Sequence, residues 1–302
     1  MRQALIWRDY IADATVVETG ANATLATGCT LAATQNDRLT DVARWVVNSN
    51  GGNPVTLRYD LLGLKTVRAV GVCGVSNVVF PDVAPGNRYI QVEIALLDAA
   101  LGVLASKYFT TDSRQTNEFW NAQPARQRGA FFLPTTAQTP RYVQIKIAET
   151  SSEGSWTDTK IGTIQIGRVF AGDGLVFTDA GERPWELAFT NDARLSRTIT
   201  GAADGIEGTT VRRITMPLNA LTEAEAFGAT TTTAQTLGLQ DMQLDAGTTR
   251  PVLAILRDDA AQRGVVDYSV FGYVDEPFSI ARLTTDPSAL YAATLKLREA
   301  PL

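Results

Sequence analysis

No histidine occurs among the 302 residues of this chain, and its absence limits the chemistry that the side chains can perform. Histidine is the side chain best suited to act as a general base near neutral pH, and it is the commonest metal ligand. Ser-His-Asp catalysis, Cys-His catalysis and histidine-based zinc sites are therefore excluded. Carboxylate pairs, lysine and tyrosine remain as possible catalysts. The composition favours a protein that binds or assembles over an enzyme.

Close pairs of acidic residues are candidates for a calcium site or a catalytic site, because paired carboxylates can hold calcium or cleave a glycosidic bond. The pairs are Asp173 with Asp179, Asp241 with Asp245, and Asp258 with Asp259. None has the alternating acid and glycine spacing of an EF-hand loop. We therefore predict solvated loop carboxylates, with no metal site, no catalytic residue and no cofactor.

Two tryptophans lie in polar segments where an aromatic ring could contact a ligand. Trp120 follows Glu118 and Phe119, and Trp156 lies in the segment 153–158, Glu-Gly-Ser-Trp-Thr-Asp. An exposed aromatic side chain at the end of a β-sandwich can stack on a sugar ring or anchor a protein interface. The alternative is a tryptophan packed against its own sheet. Trp120 and Trp156 are the candidate ligand-binding residues.

Charge and hydropathy restrict the partners of the chain. The formal net charge is -5, and no cluster of lysine and arginine predicts a surface for nucleic acid. No apolar stretch is long enough to span a membrane, and the first residues lack the apolar core of a signal peptide. We expect a protein made in the cytoplasm without membrane insertion. Of the two cysteines, Cys73 lies in an apolar run and is predicted to be buried, whereas Cys29 could be exposed.

Alternation of apolar and polar residues with a period of two dominates the first half of the chain. The segments 55–60, 89–96 and 143–147 each place apolar side chains on one face and polar side chains on the other. This pattern is typical of antiparallel strands with one buried face. Glycine, proline and asparagine separate the segments, as in a β-sandwich or jelly roll. We predict a sandwich over residues 1–175.

The second half predicts an α+β domain over residues 176–302, with antiparallel strands and one packed helix. The helix is predicted at Leu221–Phe227, because Thr222 and Glu225 have the spacing of a capping box. Four strand patterns follow the helix. Two glycines and an aspartate in the segment 171–174 predict a flexible joint between the two domains.

Several segments resemble known families. The segments 55–61, 65–72 and 140–147 are similar to strands of discoidin-like, galactose-binding-type jelly rolls. The segment 164–172, Ile-Gln-Ile-Gly-Arg-Val-Phe-Ala-Gly, resembles an ending found in tail proteins of long-tailed bacteriophages. The strand, helix and strand around 213–215, 221–227 and 250–256 are similar to those same tail proteins.

The resemblance implies a structural virion component of a phage tail tip or baseplate. It implies assembly of the chain with copies of itself into a ring around the tail axis, contacts with other tail proteins, and a location in the virion. The alternative to this structural role is a lectin-like module that binds a host-surface glycan. No sugar-contacting motif transfers from the resemblance to particular residues of this chain.

Overall fold

A computed structural model describes fifteen segments of the chain, and they fold almost entirely into β-strands. The described residues are 2–19, 23–36, 41–47, 54–74, 76–79, 89–112, 129–150, 162–177, 184–191, 194–197, 203–206, 210–230, 235–257, 269–284 and 289–300. The strands are numbered β1 to β23 in chain order. All of their pairings are antiparallel, as the alternating sequence pattern predicts.

The first sheet has five strands in the order β2-β5-β11-β8-β9. These strands are β2 (Thr15–Glu18), β5 (Val55–Asp60), β8 (Tyr89–Leu97), β9 (Val103–Asp112) and β11 (Tyr142–Thr150). Val92 and Ile94 lie on the buried face, whereas Glu93 lies on the other face and pairs with Lys146. The alternating sequence pattern therefore predicts correctly which face of this sheet is buried.

The second sheet has four strands in the order β3-β4-β12-β7 and packs against the first. These strands are β3 (Ala23–Leu25), β4 (Ala43–Val47), β7 (Ser76–Val79) and β12 (Gly162–Ile166). One apolar core joins the two sheets: Trp45 and Ile164 from the second meet Leu57 and Ile145 from the first. A short 3-10 helix at Leu31–Gln35 lies beside the core. The predicted β-sandwich is confirmed.

The third sheet has ten strands and draws on both ends of the chain. Its strands are β1 (Ala4–Asp9), β6 (Ala69–Cys73), β10 (Ala130–Phe132), β13 (Arg168–Val176), β14 (Glu186–Asn191), β17 (Thr210–Leu221), β20 (Val252–Ile255), β21 (Ser269–Val274), β22 (Ile280–Arg282) and β23 (Tyr291–Glu299). Their order is β10-β6-β13-β1-β20-β21-β23-β17-β14, with β22 also on β23. The N-terminal strand β1 lies between β13 and β20, so the sandwich is inserted between two neighbouring strands of this sheet.

The predicted helix is confirmed, and a second one follows it. The helix α1 spans Glu223–Phe227, and its capping box is complete because Thr222 and Glu225 each accept the other's backbone N–H. The helix α2 spans Leu239–Asp245 and packs Met242 into the core beneath the third sheet. Two small hairpins complete the described elements: β15 (Arg194–Arg197) with β16 (Ala203–Ile206), and β18 (Ala229–Thr230) with β19 (Gln235–Thr236).

The flexible joint predicted at residues 171–174 is wrong. These residues lie within β13, a buried strand that pairs with β6 on one side and β1 on the other. Gly172 and Gly174 allow β13 to lie close to the backbone of β1. A Cβ on Gly172 would lie 1.8 Å from the carbonyl oxygen of Arg8, and a Cβ on Gly174 would lie 2.1 Å from the carbonyl oxygen of Leu5. The glycines therefore bring two strands together.

The predicted fold class is confirmed as mainly β, with a sandwich followed by antiparallel strands and packed helices. The predicted continuous strand from residue 160 to 170 is divided at Gly167, where the chain passes from the second sheet to the third. The division into residues 1–175 and 176–302 stays a prediction. The third sheet takes strands from both ranges.

Candidate functional site

One end of the sandwich, which we call the distal end, is defined by strand termini from both sheets. In the first sheet, Tyr89 at the start of β8 is the register partner of Asp112 and Thr150, the last residues of β9 and β11. In the second sheet, Val47 at the end of β4 lies opposite Gly162 at the start of β12. The chain therefore leaves the sandwich repeatedly at this end, as binding surfaces on β-scaffolds require.

Both candidate tryptophans belong to segments that begin at the distal end. Trp120 lies in the segment that follows β9, and Trp156 lies in the segment between β11 and β12. Both residues lie outside the described residues, so their role in ligand binding stays a prediction. The structure brings together the strand ends, Asp112 and Thr150, that precede the two segments.

The opposite end of the sandwich, the proximal end, is where the chain enters and leaves. The backbone N–H of Tyr10 donates to the carbonyl oxygen of Ala171 over 2.9 Å, and Thr15 at the start of β2 lies opposite Asp60 at the end of β5. The third sheet continues from this end through β1 and β13. The distal end therefore lies at the far end of the sandwich from the third sheet.

A buried ion pair fixes the proximal end. Arg168 at the start of β13 pairs with Asp9 at the end of β1, and the side chain of Arg168 is fully buried. Asp9 also accepts a hydrogen bond from the backbone N–H of Ile11 over 2.9 Å. Nearby, the buried hydroxyl of Tyr59 donates to Thr34 over 2.8 Å, and burial raises the pKa of Tyr59 well above its usual range.

Sequence reasoning assigned no role to this pair, although a signal was present. Arg168 falls in the same alternating phase as Ile164 and Ile166, both buried, which places a guanidinium on an apolar face. A cation in that phase requires a buried anion, and Asp9 provides it. The ion pair links the end of β1 to the start of β13.

The acidic residues that the sequence offers for a calcium site form ion pairs or hydrogen bonds within the protein, wherever the structure describes them. Asp173 is 7% exposed and pairs with Arg68 over 2.7 Å, so its prediction as a solvated loop residue is wrong. Asp241 accepts the backbone N–H of Gly238 over 2.8 Å at the start of α2, and Asp245 pairs with Arg8 over 2.7 Å. The other three members, Asp179, Asp258 and Asp259, lie outside the described residues.

The described residues contain neither a group of metal ligands nor a helix that could span a membrane. Within the described ranges, no three His, Cys, Asp or Glu side chains are grouped so that they could hold a metal ion. No helix in those ranges is long and apolar enough to cross a membrane.

The two cysteines differ as the sequence predicts. Cys73 is buried, Cys29 is partly exposed, and neither forms a disulfide. Burial raises the pKa of the Cys73 thiol to about 12, which keeps it protonated and unreactive at neutral pH. Cys29 and Asp41 line an open cleft of about 460 Å³ beside the 3-10 helix, toward the proximal end. The cleft therefore lies away from the distal end.

The edge strand β14 carries the most exposed aromatic side chain among the described residues. Within the described part of the chain, β14 pairs only with β17 and ends one side of the third sheet. Phe189 on this strand is 57% exposed. An edge strand with unpaired backbone groups and an exposed apolar side chain can pair with another chain.

Comparison with known proteins gives similarity of fold at low sequence identity. No family model and no curated protein matches the chain. Among solved structures, the lectin binding domain of lectinolysin complexed with Lewis b is 16% identical, with a TM-score of 0.35 over 55% of this chain and 96% of that chain. A Streptococcus pneumoniae fucose binding module is 10% identical, with a TM-score of 0.34 over 55% and 95% of the two chains.

A third solved structure is the family 32 carbohydrate-binding module of C. perfringens NanJ in complex with galactose. It is 10% identical, with a TM-score of 0.35 over 57% of this chain and 99% of that chain. With identities and TM-scores this low, these likenesses carry no argument about what the chain binds.

Proposed function

We propose that this chain is a non-catalytic binding protein whose sandwich recognises a carbohydrate at the distal end. The observation that carries the proposal is the adjacency of Tyr89, Asp112 and Thr150 at that end, together with Val47 and Gly162 of the facing sheet. A rigid scaffold that presents several connecting segments at one end suits ligand recognition. The third sheet joins at the opposite, proximal end.

The residue types in the segments that begin at this end suit a sugar. Trp120 and Trp156 belong to segments that start at neighbouring strand ends, so one ligand could contact both. An indole ring offers an apolar face for the C–H groups of a sugar, and the polar residues around it can bond to hydroxyls. Binding of this kind needs no general base, in keeping with a chain that lacks histidine.

Replacing either tryptophan tests the proposal. We expect Trp120→Ala and Trp156→Ala each to weaken binding of the preferred saccharide by about tenfold or more, because each removes a stacking surface. The measurement is a screen of the wild-type protein on an array of mono- and oligosaccharides, followed by titration calorimetry with the tightest-bound saccharide.

The matched control is Phe189→Ala, which removes an exposed aromatic ring from the third sheet instead of the sandwich. This variant should bind the saccharide with wild-type affinity. Failure of the wild-type protein to bind any saccharide on the array would contradict the proposed function. Binding that survives in both tryptophan variants would leave carbohydrate recognition in place and move it to other residues.

A second candidate function is structural, in the tail of a bacteriophage, and the free edge of β14 favours it. The exposed Phe189 and the unpaired side of this strand could join a second copy of the chain or another tail protein. In this role the ten-stranded sheet would build a ring, and the sandwich would project from it toward other proteins or a host glycan. The two functions are compatible, because they use different sheets.

Light scattering tests the structural role. We expect the wild-type protein to form a closed oligomer at high concentration, and Phe189→Arg to shift it toward monomer, because a charge at the edge opposes pairing. Phe189→Ala should have a weaker effect of the same sign. A wild-type protein that stays monomeric at high concentration, with or without partner tail proteins, would contradict self-assembly.

A further inference from the structure

Two neighbouring turns at the proximal end of the sandwich share a sequence pattern, a leucine and a second aliphatic residue on either side of a glycine. The first turn follows β5 and contains Leu62-Gly63-Leu64, and the second joins β8 to β9 and contains Leu101-Gly102-Val103. Their four aliphatic side chains are 45–68% exposed. Single exposed aliphatic side chains are common on protein surfaces, but a group of them at one place marks an interaction surface.

The backbone holds the first leucine of each turn in a conformation that leucine rarely adopts. Leu62 has a φ of 59° and Leu101 a φ of 67°, in the left-handed region that favours glycine and asparagine. An aspartate stabilises each turn. Asp60 accepts the backbone N–H of Leu62 over 2.8 Å, and Asp98 accepts that of Gly102 over 2.7 Å. An exposed side chain kept on a strained backbone indicates a role in binding.

The start of β11 lies between the two turns and holds them side by side. The backbone N–H of Leu61 donates to the carbonyl oxygen of Arg141 over 3.0 Å, and the N–H of Arg141 donates to the carbonyl oxygen of Leu97 over 2.9 Å. Because β5 and β8 both pair with β11, the strands that lead into the turns are about 10 Å apart. One partner can therefore contact both turns at once.

The charges of this surface balance within the chain. The two turns and the start of β11 contain two acidic residues, Asp60 and Asp98, and two basic residues, Lys65 and Arg141. Arg141 forms an ion pair with Asp60 over 2.6 Å. The surface thus has no net charge, whereas the whole chain carries -5. Because like charges repel, a neutral apolar surface is where two copies of an acidic chain can meet.

We propose that this surface binds the same surface of a second copy across a two-fold axis, so that the Leu62 turn of one copy packs on the Leu101 turn of the other. An axis near Arg141 exchanges the two turns, and their matching aliphatic residues make the surface complementary to itself. Four side chains expose less area than the roughly 800 Å² per partner of a stable interface, so we expect the dimer to dissociate on dilution. This contact is separate from the β14 edge and from the distal end.

The test replaces both leucines with asparagine, which accepts a positive φ, in a Phe189→Arg background that blocks the β14 edge. Sedimentation velocity over a range of concentrations should show a monomer–dimer equilibrium for Phe189→Arg alone. Adding Leu62→Asn and Leu101→Asn should give a monomer at every concentration. At a dilution where both proteins are monomeric, the melting temperature should stay the same or rise with the asparagines, because backbone strain is relieved. A lower melting temperature would assign the leucines to the fold and overturn the inference.

The matched control is Leu244→Gln in the same background, which removes an exposed leucine from the helix α2. This variant should keep the dimer. Dimers that persist with both asparagines would overturn the inference, as would a Phe189→Arg protein that is monomeric at every concentration, and neither result would bear on the β14 edge. Binding of Phe189→Arg to phosphatidylcholine vesicles without dimer formation would assign the surface to lipid and also overturn the inference.

Discussion

Gly172→Ala is expected to prevent stable folding. Gly172 lies in β13 opposite Asp9, and a methyl group there would meet the carbonyl oxygen of Arg8 at 1.8 Å. Relief requires β1 and β13 to separate near the bulge that β1 makes between Ile6 and Arg8. Backbone atoms of a central strand cannot move aside as a flexible side chain can, so we expect a loss of at least about 3 kcal/mol.

Urea unfolding followed by circular dichroism measures this effect, with Gly63→Ala as the control. A Cβ at Gly63 would have no heavy atom within 4 Å, so this variant should unfold at the wild-type urea concentration. A joint between domains would behave differently. Were residues 171–174 a flexible joint, Gly172→Ala would keep the wild-type midpoint and only stiffen the chain.

The wrong prediction of a flexible joint shows that local sequence patterns do not reveal contacts between strands that are distant in sequence. A glycine in a loop and a glycine at a tight strand contact look alike in sequence, because the difference lies in the partner strand. For Gly172 that partner is β1, which is separated from it by the whole sandwich. The insertion of the sandwich between β1 and β13 is likewise a non-local property, and no period or motif predicts it.

Features set by neighbouring residues were predictable. The capping box of Thr222 and Glu225 depends on three consecutive peptide units, and it forms as predicted. The alternating strands 55–60 and 143–147 place the predicted residues on the buried face. The helix α2 escaped prediction because its N-cap is Gly238, a residue that lacks a capping side chain.

The candidate site was predictable only in part. The tryptophans could be chosen by residue type, but the adjacency of the strand ends that lead to them depends on the register between β8, β9 and β11.

Asp9→Asn is expected to destabilise the protein by about 3–5 kcal/mol, the range for removal of one member of a buried ion pair. The Arg168 side chain is fully buried and that of Asp9 is 10% exposed, so water cannot replace the lost carboxylate charge. Glu93→Gln is the comparison, because Glu93 and Lys146 are 22% and 29% exposed. That loss should stay below about 1 kcal/mol, as for other solvent-exposed pairs.

A double-mutant cycle separates the charge from the packing. Arg168→Met removes the guanidinium and keeps an apolar chain of similar length, so Asp9→Asn combined with it leaves no uncompensated charge. We expect the double variant to be more stable than the sum of the two single losses predicts, by about 1 kcal/mol or more. Additive losses in urea unfolding would show that the two side chains contribute independently. Because β1 and β13 precede and follow the sandwich in the chain, a strong coupling would show that this pair holds together the two strands between which the sandwich is inserted.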